Sequence, residues 1–139
     1  MRILVAGASG LLGSNLMPFL EKAGHEPLAL SRSGKNGGIC CDISDRASAF
    51  RALSLANPDA IIDLVALPDV DRCESDPETA RKESVSSAEN IADWINEQAP
   101  ERRPQALYVS TDQVYDAPGP SREDAVRIVN NYARFKLQA

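Results

Sequence analysis

The stretch MRILVAGASGLLG, residues 1–13, decides the fold. A strand-length apolar run at residues 3–6 is followed by Gly7, Gly10 and Gly13, and then by apolar residues at helical spacing. Glycines let the backbone turn tightly and approach a pyrophosphate, and the N-terminus of the following helix offers free N–H groups and a partial positive charge. The GxxGxxG spacing between a strand and a helix therefore predicts a dinucleotide site.

Strand-length apolar runs alternate with stretches of helical period along the rest of the chain. We predict strands at residues 3–6, 28–31, a short third one ending at 41, 60–66 and 106–109. A parallel arrangement is implied by each crossover, which gives an α/β fold: a Rossmann-like doubly wound parallel sheet of strand order 3-2-1-4-5.

Residues that start helices support this alternation. Ser44 is a candidate cap for the second helix, and Asp76 followed by Pro77 is typical of the start of the next one. That helix is expected to bury an apolar face, and a last helix is expected near Asn130. The residues of the predicted face are Val85, Ala88, Ile91, Ala92 and Ile95.

Composition excludes several classes of protein. The chain has 139 residues, 43% hydrophobic and 25% charged, and a net charge of −5, which suits one globular domain. No apolar run approaches the ~18 residues of a membrane span, and no secretory signal is visible, so we expect no membrane contact and a cytoplasmic location. The scattered basic residues predict no nucleic-acid partner, and the three cysteines lack the spacing of a metal site.

The residues after the second strand bear on the choice of dinucleotide. Ser31 and Arg32, with Lys35 nearby, stand where an NAD-preferring domain carries an acid for the ribose 2′-hydroxyl. A cation and a hydroxyl favour a 2′-phosphate, so NADP is predicted, with NAD possible; Arg32 could instead be a solvated loop residue. Asp42 could accept a hydrogen bond from the adenine amino group, or could simply be an acid at a helix start.

Two segments near the C-terminus carry groups suited to carbonyl reduction. In NNYARFK, residues 130–136, Tyr132 and Lys136 are four apart and share one helix face, so the ammonium can support the phenol and hold a ribose. A tyrosine so placed can act as an acid, although Tyr132 could also be a core aromatic. In VSTDQVYD, residues 109–116, Thr111 follows the fifth strand and could polarise a carbonyl.

These motifs together resemble the extended short-chain dehydrogenases, in particular the dTDP-4-dehydrorhamnose reductase family, from residue 1 to 139. The resemblance implies that hydride passes from the nicotinamide to the keto carbon of a nucleotide-linked sugar, while Tyr132 gives the proton. Lys136 would support Tyr132, and Thr111 would position the oxygen. Asp112 matches an acid that the family keeps beside the substrate, or is a turn residue.

The cofactor contacts that the motifs and the resemblance predict lie in the glycine turn, after the second and third strands, after the fourth strand and on the last helix. They are Gly7, Gly10, Leu11, Leu12, Gly13, Ser31, Arg32, Asp42, Ile43, Val65, Ala66, Leu67, Tyr132 and Lys136.

Some residues depart from the family pattern. The run of small residues after an asparagine is replaced by residues 63–66, DLVA, and Pro68 stands where a threonine is usual. Ser84 replaces an asparagine before Val85, and Ala133 replaces a glycine often found after the tyrosine. These changes bear on the cofactor contacts after the fourth strand and on any proton relay.

The family also continues past the lysine helix into further strands and a substrate domain, whereas three residues follow Lys136 here. We therefore expect residues 1–139 to be an NAD(P)-binding domain, cut after the start of the YxxxK helix and inactive alone, with a homodimer or a missing C-terminal half as partner. Two alternatives stay open: an epimerase or dehydratase of the same superfamily, and a non-catalytic NADP-binding regulatory subunit.

Overall fold

Five parallel strands form one sheet in the order β3-β2-β1-β4-β5, which confirms the predicted topology. The computed structural model describes residues 1–139, with residue 36 described for its backbone only. The elements are β1 (Arg2–Ala6), α1 (Leu11–Lys22), β2 (Glu26–Ser31), β3 (Ile39–Cys40), α2 (Arg46–Ala56), β4 (Ala60–Asp63), α3 (Val70–Ser75), α4 (Pro77–Glu97), β5 (Gln105–Tyr108) and α5 (Asn131–Gln138). Short 3-10 turns lie at Lys35–Gly37, Pro100–Arg102 and Asp112–Val114.

The sheet has an apolar layer on each face because strand side chains alternate in direction. Leu4 and Ala6 of β1 pack into the cluster formed with α2 and α4, whereas Ile3 and Val5 pack into the cluster formed with α1. β1 lies at the centre, paired in parallel with both β2 and β4. The carboxyl ends of the strands therefore meet at one edge of the sheet, above which a ligand can lie.

Several predicted boundaries are one to three residues off, and two of the errors, the cap of α2 and the end of β4, have the same local reason. Asp45, not Ser44, caps α2 by accepting a hydrogen bond from the Ser48 N–H. β4 ends at Asp63 rather than at residue 66, because the Asp63 side chain accepts a hydrogen bond from the Val65 N–H and turns the chain. Aspartates that bond to nearby backbone compete with regular structure, and the apolar pattern does not reveal this.

α3 has no counterpart among the predicted elements. Its six residues begin after Asp69, whose side chain accepts a hydrogen bond from the Arg72 N–H.

In α4 the predicted N-cap at Asp76 is confirmed, but Ala92 of the predicted apolar face is exposed. Small polar residues contribute to the buried face of α4 in its place: Ser84, Ser87 and Asn90.

β5 is one of the two edge strands of the sheet. It pairs with β4, and Leu107, which lies beside Ile62, is 58% exposed.

Among the described residues no helix is long and apolar enough to cross a membrane. The described side chains also contain no group of three or more His, Cys, Asp or Glu residues placed to hold a metal ion.

Candidate cofactor and active site

The turn between β1 and α1 brings backbone against backbone. Gly7 has a φ of +83°, which favours glycine. A Cβ on Gly13 would lie 2.4 Å from the Gly7 carbonyl oxygen and 2.6 Å from the Ala8 Cα, so a side chain at this position would force the backbone to shift. Two of the three glycines are therefore required by the path of the chain itself.

The N-terminus of α1 is suited to an anion. Its N-cap is Gly10, and within the described chain no side chain accepts a hydrogen bond from the first turn. The Gly10 N–H itself donates to the Gly7 carbonyl at 3.0 Å. The leading N–H groups of the helix, at Leu11 and Leu12, are thus available to a ligand, while both leucine side chains are exposed.

A cavity of about 350 Å³ opens above the carboxyl ends of β1, β2 and β4. Its wall contains eight of the predicted cofactor contacts: Gly7, Gly10, Ser31, Arg32, Asp42, Ile43, Val65 and Ala66. Ser9, Leu30, Ser33, Cys41, Ser44, Leu64 and Glu83 complete it. Leu11, Leu12, Gly13 and Leu67 are not part of this wall, and Leu67 is buried in a separate cluster.

The rim near β2 combines a cation and an acid. The Arg32 side chain is 69% exposed, and its Nη1 lies 3.1 Å from Oε1 of Glu83, a residue of α4. Sequence reasoning missed Glu83, because the two residues are 51 positions apart. Lys35 lies outside this cavity wall and lines a separate depression whose wall also includes Ser14 and Glu21.

The residues after β3 are held by specific hydrogen bonds. Oδ1 of Asp42 accepts from the Ser44 N–H at 3.1 Å and from its hydroxyl at 2.7 Å. The Ile43 carbonyl accepts a hydrogen bond from the Asn90 side-chain amide at 2.9 Å. The Asp42 side chain, which belongs to a residue of the cavity wall, is therefore held by Ser44.

Tyr132 and Lys136 lie on α5, whose N-cap Asn130 accepts a hydrogen bond from the Ala133 N–H at 2.7 Å. Tyr132 packs against a buried cluster that includes Phe135. Lys136 is only 5% exposed, and burial lowers the pKa of its ammonium, an effect that the nearby Asp63 carboxylate partly offsets. Neither residue is part of the cavity wall.

Asp63 is a buried acid at the carboxyl end of β4. One of its oxygens accepts a hydrogen bond from the Val65 N–H at 2.9 Å, and the other has no partner among the described residues. Burial raises the pKa of this carboxyl to about 6, although the hydrogen bond from Val65, the nearby Ser87 hydroxyl and the charge of Lys136 act in the opposite direction. The sequence marked Asp63 only as a departure from the family pattern.

The end of β5 lies against α5. The Ser110 hydroxyl donates to the Lys136 carbonyl at 3.5 Å, and Thr111 begins a 3-10 turn in which its hydroxyl oxygen accepts from the Gln113 N–H. Asp112 is exposed and shares a shallow depression with Asn130. The fold thus brings Thr111 and Asp112 beside the helix of Tyr132 and Lys136.

Ser84 ties three parts of the chain together. Its hydroxyl oxygen accepts a hydrogen bond from the Leu67 N–H at 3.2 Å, and its carbonyl accepts one from the Tyr108 hydroxyl at 3.4 Å. The loop after β4 and the end of β5 are therefore both anchored on α4.

The family model described as "NAD dependent epimerase/dehydratase family" matches residues 3–139. A dTDP-4-dehydrorhamnose reductase of Salmonella typhimurium is 32% identical over 140 residues, which cover 99% of this chain and 44% of that protein. The chain thus spans about half the length of the curated relatives it matches.

Solved structures agree in fold. A hypothetical dTDP-4-dehydrorhamnose reductase from Sulfolobus tokodaii superposes with a TM-score of 0.87 at 30% identity, over 99% of this chain and 50% of that one. The enzyme of the same name from Bacillus anthracis, solved in complex with NADP, gives a TM-score of 0.82 at 21% identity, over 99% of this chain and 46% of that one.

Proposed function

Since the chain belongs to the NAD dependent epimerase/dehydratase family, we propose that residues 1–139 form the NADP-binding domain of an oxidoreductase. Its substrate is a keto group of a nucleotide-linked sugar. The observation that carries this proposal is the cavity above the sheet, where the glycine turn, the uncapped start of α1 and Arg32 lie together. The names of the relatives support the substrate class.

The residues present fit a dinucleotide. The glycine turn leaves no room for side chains at Gly13, and the free N–H groups of Leu11 and Leu12 suit a pyrophosphate. Arg32 would bind a 2′-phosphate, and Asp42 and Ile43 would contact the adenine. Val65 and Ala66 line the same cavity beyond the end of β4, and Leu67, buried beside them, would shape that wall.

The reduction needs a hydride and a proton. NADPH would supply the hydride when bound. Tyr132 donates the proton to the carbonyl oxygen of the sugar, and Lys136, one helical turn further on, supports it by its positive charge and by holding the ribose. Thr111 hydrogen-bonds the same oxygen, and Asp112 contacts the substrate from the end of β5.

A second function has one observation in its favour. The Lys136 ammonium is buried against the Tyr108 ring rather than directed into the cavity. A non-catalytic NADP-binding subunit would tolerate this position of the lysine, whereas a reductase requires Lys136 to reach the ribose. An epimerase of the same family would use Tyr132 and Lys136 but would show no net consumption of NADPH.

Turnover of the complete protein with dTDP-4-dehydrorhamnose and NADPH tests the proposal. We expect Tyr132→Phe to lower kcat by about 100-fold or more, since it removes a general acid, and to leave NADPH affinity within about twofold. Tyr115→Phe is the matched control, because this half-buried tyrosine lies on the neighbouring loop. Full turnover in the Tyr132→Phe variant would show that the acid is assigned wrongly, and no NADPH consumption by the unsubstituted protein would favour the non-catalytic subunit.

A further inference from the structure

Glu83 is an acid in the wall of the cofactor cavity. It lies on α4, its side chain is 20% exposed, and its Oε1 is 3.1 Å from Nη1 of Arg32. The ion pair joins the loop after β2 to α4, and both residues line the cavity. The Arg32 guanidinium therefore already has an anionic partner at the place where a 2′-phosphate would bind.

The charges along the cavity wall make this contact important. Among the described residues that line the cavity, Arg32 is the one cation, and Asp42 and Glu83 are the two acids. Asp42 accepts two hydrogen bonds from Ser44 through Oδ1 alone, and among the described residues it is Glu83, not Asp42, that forms an ion pair with Arg32. An anion that enters the cavity would therefore compete with the Glu83 carboxylate for the Arg32 guanidinium.

We propose that Glu83 is a specificity-determining residue that competes with the 2′-phosphate for Arg32 and so reduces the preference for NADPH over NADH. The inference rests on the proposed cofactor site. Arg32 favours the binding of NADPH and Glu83 opposes it, although the two side chains form an ion pair with each other.

Geometry and charge give the direction of the effect. A phosphate monoester carries a charge of about −2 near neutral pH, so a neighbouring carboxylate repels it. The contact with Glu83 uses Nη1, and the other guanidinium nitrogens remain available. A phosphate can therefore bind Arg32, but it does so beside a carboxylate that is largely shielded from water. NADH lacks the 2′-phosphate and does not experience the repulsion at this position.

The opposite role would be preorganisation, in which Glu83 holds Arg32 in the geometry that the phosphate needs. The two roles predict opposite signs for the same substitution. Glu83→Gln keeps the shape and one acceptor oxygen but removes the charge, so competition predicts tighter NADPH binding and preorganisation predicts weaker binding.

The test is calorimetric titration of the unsubstituted chain and two variants with NADPH, NADH, 2′,5′-ADP and 5′-AMP. The variants are Glu83→Gln and, as a control, Glu89→Gln, which removes the same charge from the same helix. Glu89 pairs with Arg81 at 2.9 Å on the exposed surface, outside the cavity wall. In Glu83→Gln we expect the ratio of NADPH to NADH affinity to rise about three- to fivefold, and the ratio for 2′,5′-ADP to 5′-AMP to rise with it. Glu89→Gln should leave both ratios unchanged.

An unchanged or lower ratio in Glu83→Gln would overturn the competition, as would an equal rise in Glu89→Gln. These outcomes leave the proposed function intact, because the nucleotides still bind. Failure of every nucleotide to bind the folded, unsubstituted chain would overturn the cofactor site itself, and the role of Glu83 with it.

Discussion

The ammonium nitrogen of Lys136 lies 4.3 Å from the centre of the Tyr108 ring, so the lysine of α5 is held over the last residue of β5. Such a contact is attractive because the face of an aromatic ring is negative, and it is stronger where water is excluded. Burial raises the pKa of the Tyr108 phenol, which therefore stays protonated and donates to the Ser84 carbonyl. Tyr108 thus links the proposed catalytic helix to α4.

Two replacements of Tyr108 distinguish the contribution of its ring to stability from that of its hydroxyl. Tyr108→Phe keeps the ring under Lys136 and loses a long hydrogen bond of 3.4 Å, whereas Tyr108→Leu loses both. We expect Tyr108→Leu to lower the free energy of unfolding by about 1 kcal/mol more than Tyr108→Phe. Urea denaturation of the two variants measures this difference, and equal stabilities would show that the cation–π contact contributes nothing.

Because the Asp63 carboxyl is buried, we expect the free energy of unfolding to fall as pH rises toward neutrality. Its carboxyl has a pKa raised to about 6 in the folded chain, against about 3.9 when unfolded, so the folded state binds the proton more tightly. The stabilisation is fully present below the unfolded pKa and is lost as pH rises through about 6. The loss is on the order of 2–3 kcal/mol.

Asp63→Asn removes this titration. We expect the variant to lose the decline in stability between about pH 4 and 6 and to be more stable than the unsubstituted chain at neutral pH. Asp124→Asn, at an exposed loop position, is the control and should keep the decline. Denaturation curves across this pH range give the result, and a decline that persists in Asp63→Asn would assign it to another group.

Gly13→Ala tests the packing of the glycine turn. The added methyl would meet backbone atoms of Gly7 and Ala8 at distances that real side chains do not adopt. Relief requires α1 to move away from β1, so we expect a loss of about 2 kcal/mol or more in the free energy of unfolding. Ser14→Ala, at the next, exposed position of the same helix, should cost far less. Similar losses in the two variants would contradict the close approach.

Trp94 is buried on α4, and its indole N–H donates to the Ser54 hydroxyl at 2.9 Å. Ser54→Ala leaves this buried donor without its acceptor, and we expect a loss of about 1–2 kcal/mol. Trp94 is the single tryptophan, so its fluorescence reports the unfolding directly. Exposed Ser75 serves as a control position through Ser75→Ala, and an unchanged midpoint for Ser54→Ala would mean that water replaces the hydroxyl.

The sequence was sufficient to predict the strand order, and eight of the predicted cofactor contacts lie together in the cavity wall. Both follow from patterns that are local: an apolar run, a glycine turn and a helix start each occupy a few adjacent residues. The predicted end of β4 and the predicted cap of α2 were wrong because single aspartates, Asp63 and Asp45, accept hydrogen bonds from nearby backbone N–H groups. Apolar residues continue past such a turn, so the periodicity of the sequence does not reveal where the strand ends.

The contacts between distant residues could not be predicted. The pairing of Arg32 with Glu83 and the position of Lys136 over Tyr108 depend on how α4 and α5 pack on the sheet. Glu83 lies on a helix whose pattern marks it only as a residue beside the buried face. The YxxxK spacing places Tyr132 and Lys136 on one side of α5 but does not state what that side contacts.

Calorimetric titration of this chain with NADPH and NADH, alongside the Arg32→Asp variant, shows whether the cavity above the sheet binds a dinucleotide and which one it prefers. We expect one binding site per chain that prefers NADPH. In the variant this preference should reverse, because the new carboxylate accepts from a ribose hydroxyl and repels the 2′-phosphate. Absence of binding by the folded chain to either nucleotide would contradict the claim that the cavity above the sheet is a dinucleotide site.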